Sequence, residues 1–288
     1  MLICLIFSTT WLAIKIGLAT FAPFGYAGLR YLIACPILFA IARARRLRWP
    51  QGVRGYTIPV LLGVLMFALP FALIYHAEDT VPSGLASVLF ASHAIFVALL
   101  AHRFLAEERL TAARILGVVI GFGGVLVVFF ERMEGSGTWL GEAALVLCAL
   151  VQAVSLIIVR RTQRETPAVV LSCIGSGVAA LVLLASSALF ERSLVRHFSW
   201  NGVLALLYLA VFGSVIAFTV AIYLMHAIGA NRIAMSAYII PLLALVVGAL
   251  ALGEPLGARL ILGAALVIGG VGLTTRSART ARTTPSEA

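Results

Sequence analysis

The chain has 288 residues, of which 62% are hydrophobic and 11% charged, and its mean hydropathy is +1.10. Soluble domains carry about 25% charged residues and are less than half apolar, so a soluble globular protein, a disordered chain and a nucleic-acid-binding domain are all excluded. The net charge of +10 does not restore a nucleic-acid partner: most of the basic residues sit in short gaps between apolar runs, which is how a polytopic membrane protein fixes its orientation.

Ten apolar runs follow one another, near 2–19, 24–42, 57–76, 80–102, 112–130, 140–159, 168–189, 202–225, 231–252 and 258–275. A crossing takes roughly 20 apolar residues, so each run is predicted to be a membrane helix. The runs are apolar all round, which excludes the alternating strands of an outer-membrane barrel. The first run has neither a basic leader nor a small-residue cleavage site and is read as a retained helix, not a signal peptide. With the N-terminus inside, fifteen arginines fall in cytoplasmic segments and four in outer ones, so both termini are expected in the cytoplasm. Trp49, Trp139 and Trp200 stand at run edges, as interfacial anchors do. The tail 276–288 is short, polar and basic. Cys4, Cys35, Cys148 and Cys173 lie singly in separate runs, which gives no metal or redox motif and makes them small core residues.

The sequence repeats itself. ERLTAARILGVVIGFGGVL at 108–126 and EPLGARLILGAALVIGGVG at 254–272 align at a constant offset of 146, matching Glu108 with Glu254, Gly117 with Gly263 and Gly123-Gly124 with Gly269-Gly270. A duplicated unit of five helices is odd-numbered, so its copies must lie in opposite orientation. Inverted repeats are the mark of alternating-access carriers, with the substrate at the repeat interface near the midplane. The expected fold is therefore an all-α polytopic membrane protein of ten transmembrane helices in two inverted five-helix repeats, 1–130 and 139–275.

Four stretches carry a resemblance to a known family: STTWLAIKIGL in the first run, FGYAGLRYLIA in the second, SGLASVLFASHAIFVALLAHRFLAEERLT across the fourth to fifth, and SAYIIPLLALVVGALALGEPL across the ninth to tenth. On these the chain resembles EamA-type members of the drug/metabolite transporter superfamily over about its whole length. The family pattern often has Pro where this chain has Ala94, while the second copy keeps Pro241. The resemblance implies a bacterial inner-membrane carrier of amino acids, other metabolites or drugs, mostly an exporter.

Ionisable residues within a bilayer are functional candidates. Lys15 and Arg30 fall in the outer halves of the first and second runs. They either hold the carboxylate of a metabolite together, or snorkel or pair with Glu78, Asp79 or Glu142. His93, with Ser87 and Ser92 nearby, either binds substrate, titrates as a proton carrier, or is satisfied structurally by a neighbouring helix. Trp11, Gln152, Ser155 and Tyr238, with Ser8, Thr9 and Ser236, are the remaining groups available to line a central cavity. Pro36, Pro70 and Pro241 are expected to kink their helices. Gly117, Gly121, Gly263 and Gly269 are expected to let the fifth and tenth helices pack closely, as scaffold or as a homodimer surface. Glu107, Glu108 and Glu254 follow the fourth and ninth runs, where caps or salt bridges are expected. Nucleotide-loop, metalloprotease and hydrolase motifs are absent from the sequence, so the expectation is a carrier without cofactor or metal, acting on a small molecule. A membrane enzyme for lipid-linked substrates would need clustered acid/base residues, and a sensor or assembly partner would be expected to carry an added domain.

Overall fold

The structure, a computed structural model, describes residues 2–104, 112–133, 139–163, 165–220, 223, 236–254 and 256–280. Among these, ten helical rods run in sequence: α1 (Leu2–Leu18), α2 (Pro23–Ala44), α3 (Gly52–Thr80), α4 (Ser83–Phe104), α5 (Ala112–Met133), α6 (Trp139–Thr162), α7 (Ala168–Phe190), α8 (Trp200–Val220), α9 (Ser236–Leu252) and α10 (Ala258–Thr280). Six of them, α2, α3, α4, α6, α7 and α8, are long and apolar enough to cross a membrane, and the others contain shorter apolar stretches. The one β-bridge among the described residues joins Phe21 to Val195. Large apolar side chains point outward, Leu250 being 83% exposed and Leu189 78%. In water that surface would be a liability. In a bilayer it faces lipid.

The helix limits have local causes. α3 begins earlier than its apolar run, because Gly52–Tyr56 adds a polar turn at the interface. α4 begins at Ser83, because Pro82 forces Val81 into extended backbone (φ −91°, ψ 137°). Neither α2 nor α4 has a capping side chain of its own. A distant carboxylate supplies each cap. Glu191 accepts the amides of Phe24 (2.7 Å) and Gly25 (2.9 Å). Glu254 accepts the Ser83 amide (2.7 Å), the Ser83 hydroxyl (2.8 Å) and the Gly84 amide (2.9 Å). Both satisfy the orphan N–H groups of a first turn and place negative charge at its positive end. Capping was one of the roles expected of Glu254; Glu107 and Glu108 lie outside the described residues.

The packing has a regular pattern. α2 lies against α7, and α5 against α10; α6 receives α3 and α4, as α1 receives α8 and α9. The helix is widened to π geometry at Gly63–Ala68 in α3 and at Leu209–Ile216 in α8, two segments that begin 146 residues apart. In α3 the segment ends just before Pro70, which has no N–H to give to the ladder. In α8 the Ser214 hydroxyl donates to the Leu209 carbonyl five residues back (3.2 Å), so a side chain enters the ladder. Pro36 and Pro241 sit inside uninterrupted helices.

At α5 and α10 the backbones themselves touch. A Cβ on Gly124 would lie 2.7 Å from the Gly263 carbonyl oxygen, and one on Gly270 would lie 2.5 Å from that of Gly117. Gly121 faces Ile95 and the Gly270 Cα. Gly269, expected in this contact, has open space where its Cβ would be. One residue is about 100° of helix rotation, which places the contact on Gly270 instead. On α2 and α7, Cys35 and Cys173 each donate to the other's carbonyl (3.7 Å).

Candidate functional site

Two clusters occupy the centre of the bundle. The first is built around Arg30, one of the largest fully buried side chains, at 1% exposure. It enters from α2, roughly 10 Å inside its first residue at 1.5 Å per residue. Nε donates to Ser214 Oγ on α8 (2.7 Å) and Nη1 to Tyr75 OH on α3 (3.1 Å). The guanidinium lies 4.8 Å from the Phe71 ring centroid and 5.3 Å from that of Tyr31, within cation–π range. Gly213 makes room for it: a Cβ there would lie 3.0 Å from Nη2. The π segment of α8 thus presents Gly213 and Ser214 together, one as space and one as acceptor. Among the described residues no carboxylate forms an ion pair with Arg30. Its charge is met by two hydroxyls and two ring faces.

Lys15 does not join it. Its ammonium donates to the main-chain carbonyls of Glu78 (2.5 Å) and Val81 (3.1 Å), where it terminates α3 as a cation at a helix C-terminus. Among the described residues the two basic side chains share no hydrogen-bond partner.

The second cluster runs across α1, α4 and α6. Trp11 leans on Phe90 (centroids 5.6 Å apart, 57° between planes), and Phe90 stacks on His93 (5.7 Å, 4°). The imidazole hydrogen-bonds the main chain of Gln152. Trp11 and His93 are thereby brought together through Phe90, while Gln152 meets His93 by its main chain. The α-helical ladder breaks immediately before His93. Ser92 N bonds to the Leu89 carbonyl (3.2 Å) and Ala94 N to that of Ala91 (3.1 Å), so the ladder tightens to i→i−3 bonds here although position 94 is Ala. The Ser87 and Ser92 hydroxyls bond back to Gly84 and Leu89 (2.6 and 2.7 Å), and Ser155 to Val151 (2.8 Å), so these three are spent on their own helices. The Tyr238 and Ser236 side chains lie outside the described residues. Thr9 hydrogen-bonds Tyr208 OH (2.6 Å), and Ser8 donates to Cys4 and Ile240 (2.6 and 3.1 Å).

Above both clusters, one end of the bundle is latched. Glu191 and Glu254 make their caps there. Ala22 N bonds the Leu194 carbonyl (3.1 Å) and Arg196 N that of Thr20 (2.8 Å). The Arg196 guanidinium grips Asp79 with two bonds (2.6 and 2.9 Å). The bond from Asp79 raises the Arg196 guanidinium above its ordinary value, so this latch keeps its cation throughout the physiological range.

Sequence reasoning marked Arg30 but not Tyr75, Ser214 or Phe90. Tyr75 and Ser214 are single polar groups in long apolar runs, and the local signals were Pro70 just after the π segment of α3 and Gly213-Ser214 within that of α8.

A bundle of apolar rods with buried polar clusters between them and a latched end is a polytopic membrane protein of the transporter class. The sequence profile of the EamA-like transporter family matches residues 1–130 and 139–276, and the chain belongs to that family. It is 29% identical over 248 residues to Protein PagO of Salmonella typhimurium, covering 85% of this chain and 81% of that one. It is 26% identical over 275 residues to the uncharacterized transporter YoaV of Bacillus subtilis, covering 95% and 94%. It is 27% identical over 253 residues to the uncharacterized inner membrane transporter YedA of Escherichia coli K12, covering 88% and 81%. A solved crystal structure superposes with a TM-score of 0.71 over 96% of both chains at 22% identity, which is a likeness of fold.

Proposed function

We propose that the protein is a secondary transporter that exports a small carboxylate-bearing metabolite, such as an amino acid, across the inner membrane by alternating access. The observation that carries this reading is Arg30: a fully buried guanidinium held by hydroxyls and aromatic faces, with donors beyond those already used and no carboxylate bound to it among the described residues. A buried cation is costly unless an anion meets it for part of the cycle, and a planar guanidinium is suited to grip a carboxylate through two parallel bonds. The aromatic row from Trp11 to His93 supplies an apolar wall with one polar edge, a combination that small-molecule sites commonly use.

The halves 1–130 and 139–275 act, in this reading, as inverted units that rock about the central clusters, and the π segments at matching positions are the places where each half bends. The latched end faces the periplasm, because the arginine-rich segments emerge at the other end. A green-fluorescent fusion at the C-terminus is therefore expected to shine and an alkaline phosphatase fusion to stay inactive; the reverse pair would overturn the orientation. The transport reading is tested by comparing extracellular metabolites of a deletion strain and an overexpressing strain. A carboxylate-bearing compound should rise outside the overexpressing cells, and then exchange in proteoliposomes containing only this protein. Accumulation of only uncharged or cationic compounds would contradict the assignment to Arg30.

A further inference from the structure

We propose that Glu78 is a proton-binding site, and that sealing the latched end requires its protonation. The proposal builds on the transport reading, but the site can be tested without any substrate. Glu78 lies near the end of α3 and is 0% exposed, and neither of its carboxyl oxygens has a hydrogen-bond partner among the described residues. A carboxylate accepts at up to four positions, whereas a neutral carboxylic acid makes far smaller demands. A buried carboxylate without donors is strongly disfavoured.

What makes the arrangement informative is that a cation is close by and committed elsewhere. The Lys15 ammonium is the electrostatic partner of the Glu78 carboxyl, yet its hydrogen bonds go to the Glu78 and Val81 main-chain oxygens. Other polar groups on the neighbouring elements, among the described residues, have partners of their own. Tyr26 on α2 donates to the Ala13 carbonyl (2.9 Å). Tyr75 on α3 accepts from Arg30, and Asp79, next to Glu78 in sequence, holds Arg196 of the α7–α8 connection. Ser83 on α4 is bonded to Glu254. Glu254, from the α9–α10 connection, sits close enough to act on Glu78 as a second negative charge. Glu142, buried in the first turn of α6, has contacts of its own. A second carboxylate and a preoccupied lysine make an ionised Glu78 costly in this closed packing.

Opening changes the balance. When Lys15 leaves the end of α3, water reaches the carboxyl, its O–H bond breaks and the proton passes to that water. The carboxylate left behind pairs with the freed ammonium. Closing reverses each step and takes up one proton, so movement of the latch and binding of a proton become one event.

Two measurements on the full chain in lipid nanodiscs test this. In the infrared spectrum, wild-type protein should show a protonated carboxyl band near neutral pH that Glu78→Gln lacks; identical spectra overturn the proposal. For the latch, the four native cysteines are replaced by alanine and Val81→Cys is probed with a membrane-impermeant maleimide between about pH 5 and about pH 9, a span in which a buried carboxyl titrates. Because the thiolate is the reacting form and its fraction rises with pH, each rate is divided by that of an exposed reference, Gln51→Cys in the same cysteine-free background at the same pH. The ratio should rise roughly tenfold per pH unit until Glu78 is ionised, since one proton is released per opening. Adding Glu78→Gln should hold the ratio at its low value at every pH. A pH-dependent ratio retained with Glu78→Gln, or a flat ratio with Glu78 intact, sinks the proposal. Neither readout needs a substrate, so failure here leaves the transport reading standing, and failure of the export test leaves this one standing.

Discussion

Arg30→Gln is expected to abolish export of the carboxylate-bearing substrate while leaving the purified protein as stable as wild type, or more so. A buried guanidinium whose charge is met only by Ser214, Tyr75 and two ring faces is expensive to hold, and replacing buried charge by a neutral group of similar volume is often neutral or stabilising. Ser214→Ala has the opposite expected profile. It keeps the cation and removes an acceptor, which should cost about 1.5–3 kcal/mol, the range for hydrogen bonds to charged groups. Thermal unfolding of both variants, beside metabolite export, separates the roles. Marked destabilisation of Arg30→Gln would make the arginine a structural element and end its role in binding.

The second large effect is expected at α5 and α10. Gly270→Leu places a Cβ 2.5 Å from the Gly117 carbonyl oxygen and from the Gly121 amide nitrogen, and Gly124→Leu places one 2.7 Å from that of Gly263 and from the Val267 nitrogen. These neighbours are backbone, so no rotamer change relieves the clash and the helices must separate. Overpacking typically costs about 1–3 kcal/mol when side chains can adjust; here the loss should exceed that range and appear as low membrane yield and a lowered Tm. Gly269→Ala and Gly123→Ala, with nothing within 4 Å of the added carbon, should leave both unchanged. Equal effects at Gly269 and Gly270 would mean that helix packing does not rest on this contact.

The contrast between those adjacent glycines marks how far sequence reading reaches. The ten rods were legible because run length and hydropathy are summed over some twenty residues, and the loss of a few positions at either end does not disturb the sum. Which glycine makes the contact depends on a rotation of one residue, and the pattern at 263–270 offers glycine on more than one side. Arg30 and Lys15 were conspicuous as charges in apolar runs. Their separation was not, because it depends on where the last carbonyls of α3 lie. Tyr75 and Ser214 reach Arg30 from 45 and 184 residues away in the chain, a distance over which no local pattern holds. The break in α4 was obscured for a different reason: it falls at Ala91–Ser92, residues that signal no turn, and it rests on i to i−3 bonds that only the folded backbone displays.

The π segments carry one further consequence. Each adds a residue to a turn, so everything beyond it is rotated by about 100° relative to an unbroken α-helix. Tyr75 follows the segment at Gly63–Ala68, and Phe218, packed on Phe71, follows the one at Leu209–Ile216. Both point at the centre only because of that extra residue. Deleting a single apolar residue from either segment would keep the charge and every named residue in the sequence, yet turn Tyr75 or Phe218 toward a different neighbour. This part of the core is encoded in the length of the chain rather than in its chemistry.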